Sequence, residues 1–171
     1  MPDQTDITTR LARDEDFDAL WPILRGVIRA GDTYAIDSGL TREAVFDLWM
    51  RTPRATYVAE VDNEIIGTYY IKTNQQGGGA HVCNCGYMVA PGARGRGSAR
   101  VMCLASQEQA RAMGYLAMQF NFVVATNLGA IKLWQSLGFD TVGHLPRAFA
   151  HPDRGLVDAL VMYKWLDDAA G

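Results

Sequence analysis

No apolar run in this sequence approaches the ~20 residues that a helix needs to span a bilayer, so no membrane partner is expected. An excess of positive charge is also missing. Lys and Arg total 16 against 19 for Asp and Glu, a net charge of -3. That balance argues against bulk electrostatic binding of nucleic acid, while still permitting a local basic patch. The opening residues, MPDQTDITTRLARDEDFD, are acidic and polar and lack an apolar core, which predicts no secretory signal and a cytoplasmic location. Cysteine is scarce: Cys83, Cys85 and Cys103 form an odd set without framework spacing. Cys83 and Cys85 fall on one face of an expected strand, and no second Cys/His pair stands at zinc spacing. Reduced, buried thiols and no metal are the reading.

Repeats, low-complexity tracts and linkers are absent too, so the 171 residues read as one domain, 1–171, with 49% apolar and 20% charged residues. ITTRLA (7–12) alternates as a first strand, and Asp14, Glu15 and Asp16 open a helix at the end its dipole favours for acids. That helix carries Phe17, Leu20, Trp21, Leu24, Val27 and Ile28 on one stripe, and Pro22 is expected to kink or split it. Thr41 is placed to cap a second helix. ATYVAEV and IIGTYYIK, joined by DNE, read as a hairpin, and HVCNCGYMVA as a further strand. A helix to about Met113 follows, stopped by Gly114. YLAMQFNFVVA reads as a strand buried on both faces, before a helix from about Asn127 to Leu137. Two strands around FDTVGHLP and LVDALVMYKWL close the chain. The order β-α-α-β-β-β-α-β-α-β-β predicts one mixed α/β sheet.

The stretch YMVAPGARGRGSARVM, residues 87–102, joins the fourth strand to a helix through small residues and arginines. The first N–H groups of a helix lack internal partners, and the dipole adds positive potential. Gly95 and Gly97 allow close backbone approach, and Arg94, Arg96 and Arg100 add charge at the rim. Either an anion site or a solvated arginine-bearing loop is compatible with these residues. The turn lacks the GxxxxGK[ST] pattern of a P-loop and the third glycine of a dinucleotide fingerprint.

RGRGSA, through Arg94, Gly97 and Ala99, resembles the R/Q-x-x-G-x-G/A signature of the GNAT superfamily of acyl-CoA-dependent N-acetyltransferases. NLGAIKLWQSLGF (127–139) is similar to that family's N-x-x-A-x-x-L-Y-x-x-x-G-F motif, and the element order from 7 to 165 is similar throughout. The resemblance implies a fold whose fourth and fifth strands splay apart, with helices on both faces. It implies that Arg94, Gly95, Arg96, Gly97, Ser98 and Ala99 cradle the pyrophosphate of acetyl-CoA, the co-substrate. Backbone groups near Met88 and Val89 would meet the pantetheine arm and the thioester carbonyl, with Asn127 and Trp134 lining the same site. Asn127 serves equally well as a helix N-cap.

Two departures from the family pattern stand out. Trp134 replaces a tyrosine that protonates the leaving thiolate in many members, and indole N–H is no proton source near neutral pH. The fourth strand also carries no carboxylate, leaving general acid and base unassigned. Asn84 and Asn121 either satisfy each other, or backbone freed by the splay, or face the gap and orient the acceptor. Asparagine-bearing strands of this kind resemble GNAT members that acetylate small amino acids, the proline-analogue and phosphinothricin types. That likeness implies a small-molecule amine as acceptor, with Tyr34 as a wall and Arg147 or His151 meeting a carboxylate. A peptide or protein acceptor and a non-catalytic acyl-CoA-binding module are the alternatives. Dimers are frequent in the family, so a homodimer is left open.

Overall fold

The computed structural model of the chain describes residues 7–166; the acidic residues 1–6 lie outside the described residues. The chain alternates β1 (Thr8–Leu11), α1 (Phe17–Ala30), α2 (Arg42–Phe46), β2 (Ala55–Val61), β3 (Glu64–Thr73) and β4 (Val82–Val89). It continues as α3 (Ser98–Ala112), β5 (Ala117–Val124), α4 (Leu128–Ser136), β6 (Asp140–His151) and β7 (Gly155–Trp165). The seven strands form one mixed sheet in the order β1-β2-β3-β4-β5-β7-β6. Every neighbouring pair is antiparallel except β4 and β5, which are parallel. No helix among the described residues is long and apolar enough to cross a membrane.

The elements form where local chemistry directs them. Asp62 and Asn63 adopt φ of 51° and 65°, both left-handed, closing the β2–β3 hairpin in a two-residue turn. Thr41 Oγ1 accepts from the Ala44 N–H at 3.2 Å and caps α2, which runs on into a π-helical turn, Asp47–Arg51. Pro22 does not divide α1. It sits on the exposed side of the helix, as does Asp18 four residues before it, so water can take the place of the missing N–H.

The core lies on both faces of the sheet. On one face, α1 and α2 bury Leu20, Leu24, Val27 and Trp49 against Val58 and Met88. On the other, α3 and α4 bury Met102, Cys103 and Trp134 against Tyr69, Tyr87 and Phe120. All three cysteines are buried free thiols. Two expectations change. β5 is not buried throughout, because Asn121 is exposed on the face toward α1. β6 is longer than its apolar pattern suggested and takes in Arg147 and His151; a register shift between Leu145 and Phe149 lets it continue past the residues around Arg147.

Candidate active site

β4 and β5 pair only at Val82–Ala117 and Cys83–Met118, then diverge. The hydrogen bonds Ala90 N–H to Ile66 O, 2.8 Å, and Asn74 N–H to Val82 O, 2.9 Å, turn the even-numbered backbone groups of this strand toward β3. Alternation therefore turns those of Cys85, Tyr87 and Val89 toward the gap. Two side chains bond to the backbone that the divergence exposes. Asn84 Nδ2 donates to the Gln119 carbonyl, the next acceptor in line along β5, at 2.9 Å. The Tyr34 hydroxyl accepts from the Tyr87 N–H at 2.8 Å and donates to the Tyr87 carbonyl at 2.7 Å. Tyr34 thus occupies both polar groups of one β4 residue, as a neighbouring strand would. Burial pushes its phenol well above the ordinary tyrosine range, so the hydroxyl stays protonated and keeps both bonds at neutral pH.

The divergence opens a cavity of about 790 Å³ lined from both faces of the sheet. On the side of α3 and α4, Trp134 packs against Tyr87 and Phe120 with ring centroids 5.2 and 5.0 Å apart. On the side of α1 and α2, Trp49 meets Tyr70 edge-on at 4.8 Å, and Tyr70 lies over Gly86. An added Cβ at Gly86 would come within 2.7 Å of the Tyr70 ring, so the glycine is what lets the ring lie flat on the strand. The Tyr70 hydroxyl reaches Asn84 Oδ1 at 3.4 Å, a long bond, and burial raises its pKa to about 12. Asp32, Lys72 and Arg94 are the acidic and basic side chains on the lining.

At one end of the cavity stands the glycine-rich turn. Gly95 and Gly97 take φ of 74° and 81°, so both positions use conformations that favour glycine. Gly97 is the N-cap of α3, and the first helical bond runs from Val101 N–H to the Gly97 carbonyl at 3.1 Å. The N–H groups of Ser98, Ala99 and Arg100 precede it and have no partner within the helix. Ser98 contributes only backbone, since its Oγ is buried and donates to the Ala93 carbonyl at 3.2 Å.

A mixed sheet splayed at one parallel pair, opening beside a glycine-rich helix start, is the arrangement that the two sequence motifs implied. The pattern of the Acetyltransferase (GNAT) family matches residues 20–139. The chain belongs to the GNAT family of acetyltransferases. N-acetyltransferase aca1 of Schizosaccharomyces pombe is 31% identical over 153 residues, spanning 78% of this chain and 72% of that protein. A GCN5-related N-acetyltransferase from Kribbella flavida is 42% identical, superimposes with a TM-score of 0.91 and is matched over 95% of this chain and 99% of its own. A phosphinothricin acetyltransferase from Sinorhizobium meliloti, solved with acetyl-CoA, shares the fold at 18% identity with a TM-score of 0.83 over 94% of this chain and 89% of its own.

The GNAT scaffold brings most of the residues singled out in the sequence to one place. Tyr34, Asn84, Val89, Arg94, Asn121 and Trp134 all line the cavity, with Met88, Ala99 and Asn127. Met88 borders it through its side chain, because its backbone is turned to β3. Asn127 Oδ1 accepts from Ala130 N–H at 3.3 Å, so it caps α4 as well as lining the site. Asn84 and Asn121 do not bond to each other. Asn121 Nδ2 donates to Asn74 Oδ1 at 2.7 Å, and its Oδ1 accepts from Gln119 Nε2 at 2.9 Å.

Gly95 and Arg96 are exposed on the turn, outside the lining. Arg147 and His151 are not brought to the cavity. The Arg147 N–H donates to Asp158 Oδ1 at 2.8 Å in strand β6, and His151 Nδ1 accepts from Asp153 N–H at 3.1 Å in the β6–β7 turn. Trp49, Tyr70 and Lys72 are cavity residues that sequence reasoning passed over. Tyr70 and Lys72 carried a usable signal: at period two in β3 they share the face of Asn84, once the hairpin register is counted.

Proposed function

We propose that this acetyltransferase moves the acetyl group of acetyl-CoA to the amine of a small molecule, an amino acid or close analogue, by direct attack in a ternary complex. The observation that carries the reading is the continuity of one cavity from the α3 turn, through the β4–β5 gap, to the polar face beneath α1 and α2. Pyrophosphate fits the turn, where the N–H groups of Ser98, Ala99 and Arg100 and the side chain of Arg94 supply donors. The pantetheine arm fits the gap beside Val89, Phe120 and Trp134.

In the reaction, the amine lone pair attacks the thioester carbonyl carbon and a C–N bond forms. The electron pair of the C=O bond moves to oxygen, and an N–H of β4 that faces the gap, such as that of Val89, stabilises the oxyanion. Collapse breaks the C–S bond, expels the CoA thiolate and leaves the amide after loss of the amine proton to water. Thiolate basicity is moderate, so departure does not require a tyrosine at position 134. Asn84 stands at the point where the strands part and holds that point open through Gln119. Its Oδ1, bonded only at 3.4 Å to Tyr70, is an acceptor available to the incoming amine.

The test is CoA release from acetyl-CoA, read with a thiol reagent across free amino acids, proline analogues, simple amines and short peptides. Turnover confined to free amino acids or their analogues is the expected result. Turnover confined to peptides would replace the acceptor class, and binding of CoA without turnover on any amine would replace the activity.

A further inference from the structure

We infer that Lys72 is the specificity residue of the acceptor site and takes the carboxylate of an amino-acid substrate; this rests on the amino-acid reading above. Lys72 lines the cavity from β3 and is half-buried, and it lies directly across from Asn84 in the β3–β4 register. Its ammonium is 5.4 Å from the centroid of the Tyr70 ring. Among the described residues it forms no salt bridge and no side-chain hydrogen bond, unlike the half-buried Arg10, which is tied to Asp16 and Glu60. Asp32, the one acid on the lining, forms no ion pair with it. A lysine held in a cavity over an aromatic face with no acid in contact is a cation ready to pair with a carboxylate that a ligand brings.

Position decides which ligand. Arg94, the other basic side chain on the lining, stands at the turn beyond Val89, five β4 residues from Asn84, or roughly 17 Å along a strand. The cofactor phosphates therefore fall to Arg94 and α3, and Lys72 is left for the acceptor. Facing strands place Lys72 and Asn84 about 5 Å apart at Cβ. Both side chains thus rise from one patch of the sheet, where an α-amino acid would set its amine at Asn84 and its carboxylate at the ammonium. Arg147 and His151, the residues that the sequence suggested for this role, are both outside the cavity.

The experiment compares Lys72→Met, Lys72→Arg and the unmodified enzyme on an accepted amino acid and on its C-terminal amide. The expected result is a roughly 10- to 100-fold higher KM for the acid in Lys72→Met, partial recovery in Lys72→Arg, and no change for the amide. The unmodified enzyme should prefer acid over amide by a similar factor. The KM for acetyl-CoA should stay constant. Equal KM values for acid and amide on the unmodified enzyme, or an unchanged acid KM in Lys72→Met, would overturn the assignment while leaving amino-acid acetylation in place. Should Lys72→Met not fold, Lys72→Gln and the acid/amide ratio carry the same decision. Failure of the amino-acid reading itself shows differently, as no turnover of any free amino acid by the unmodified enzyme.

Discussion

Replacing Tyr34 with Phe removes one oxygen and leaves the ring, so the effect isolates the hydroxyl that holds β4. That oxygen accepts from the Tyr87 N–H and donates to its carbonyl, at 2.8 and 2.7 Å. A net 0.5–1.5 kcal/mol for each neutral hydrogen bond puts the loss at about 1–3 kcal/mol. Both orphaned groups face the cavity, where water can reach them, so the centre of that range, about 2 kcal/mol, is the working figure. For a chain of this size it corresponds to a fall in Tm of about 4–8 °C. Urea unfolding without CoA should show a lower midpoint with an unchanged slope, because no apolar packing is removed. An unmoved midpoint would refute the reasoning: β4 would then hold its course past Cys85 without the bridge, and the divergence would belong to the strands alone.

Gly97→Glu forces a side chain into φ of 81° and places a carboxylate at the start of α3. Acetyl-CoA affinity measured by calorimetry should fall at least about 100-fold; unchanged affinity would remove the turn as the phosphate site. Asn84→Ala takes the donor from the Gln119 carbonyl and should cost about 1–2 kcal/mol of stability while CoA binding holds. Its turnover should drop roughly 10- to 100-fold, and a variant that fails to fold would assign the asparagine to structure alone. Burial raises the phenols of Tyr69 and Tyr70 from 10.0 to about 12. A folded-state pKa above the unfolded one stabilises the protein fully below pH 10 and loses that contribution as pH rises toward 12. Urea midpoints should accordingly be flat up to about pH 10 and fall above it, whereas a flat profile to pH 12 would contradict the burial of these rings.

Most elements were legible because their signals are local. The α1 stripe, the Thr41 cap, the DNE turn and the glycine after α3 each act within a few residues, and the structure forms all four. Residues 94–99 and 127–134 were legible for the same reason, since a helix start and the helix cap after β5 are built from contiguous chain. The misplaced residues share the opposite property. Arg147 and His151 were expected to meet a substrate carboxylate, but β6 continues through them because β7 supplies a partner, which depends on the sheet order.

What the sequence determined by itself is the set of elements, the glycine-rich turn before α3 and the family, through periodicity, caps and contiguous motifs. Only the tertiary structure decided which of those elements share a cavity. Tyr34 meets Tyr87 across 53 positions, and Lys72 faces Asn84 because a hairpin register puts them opposite. The reason is physical: a strand carries its alternation in its own residues, but the partner of each exposed backbone group is set by sheet order and register. Those are fixed when the two faces of the sheet are buried by helices from distant parts of the chain.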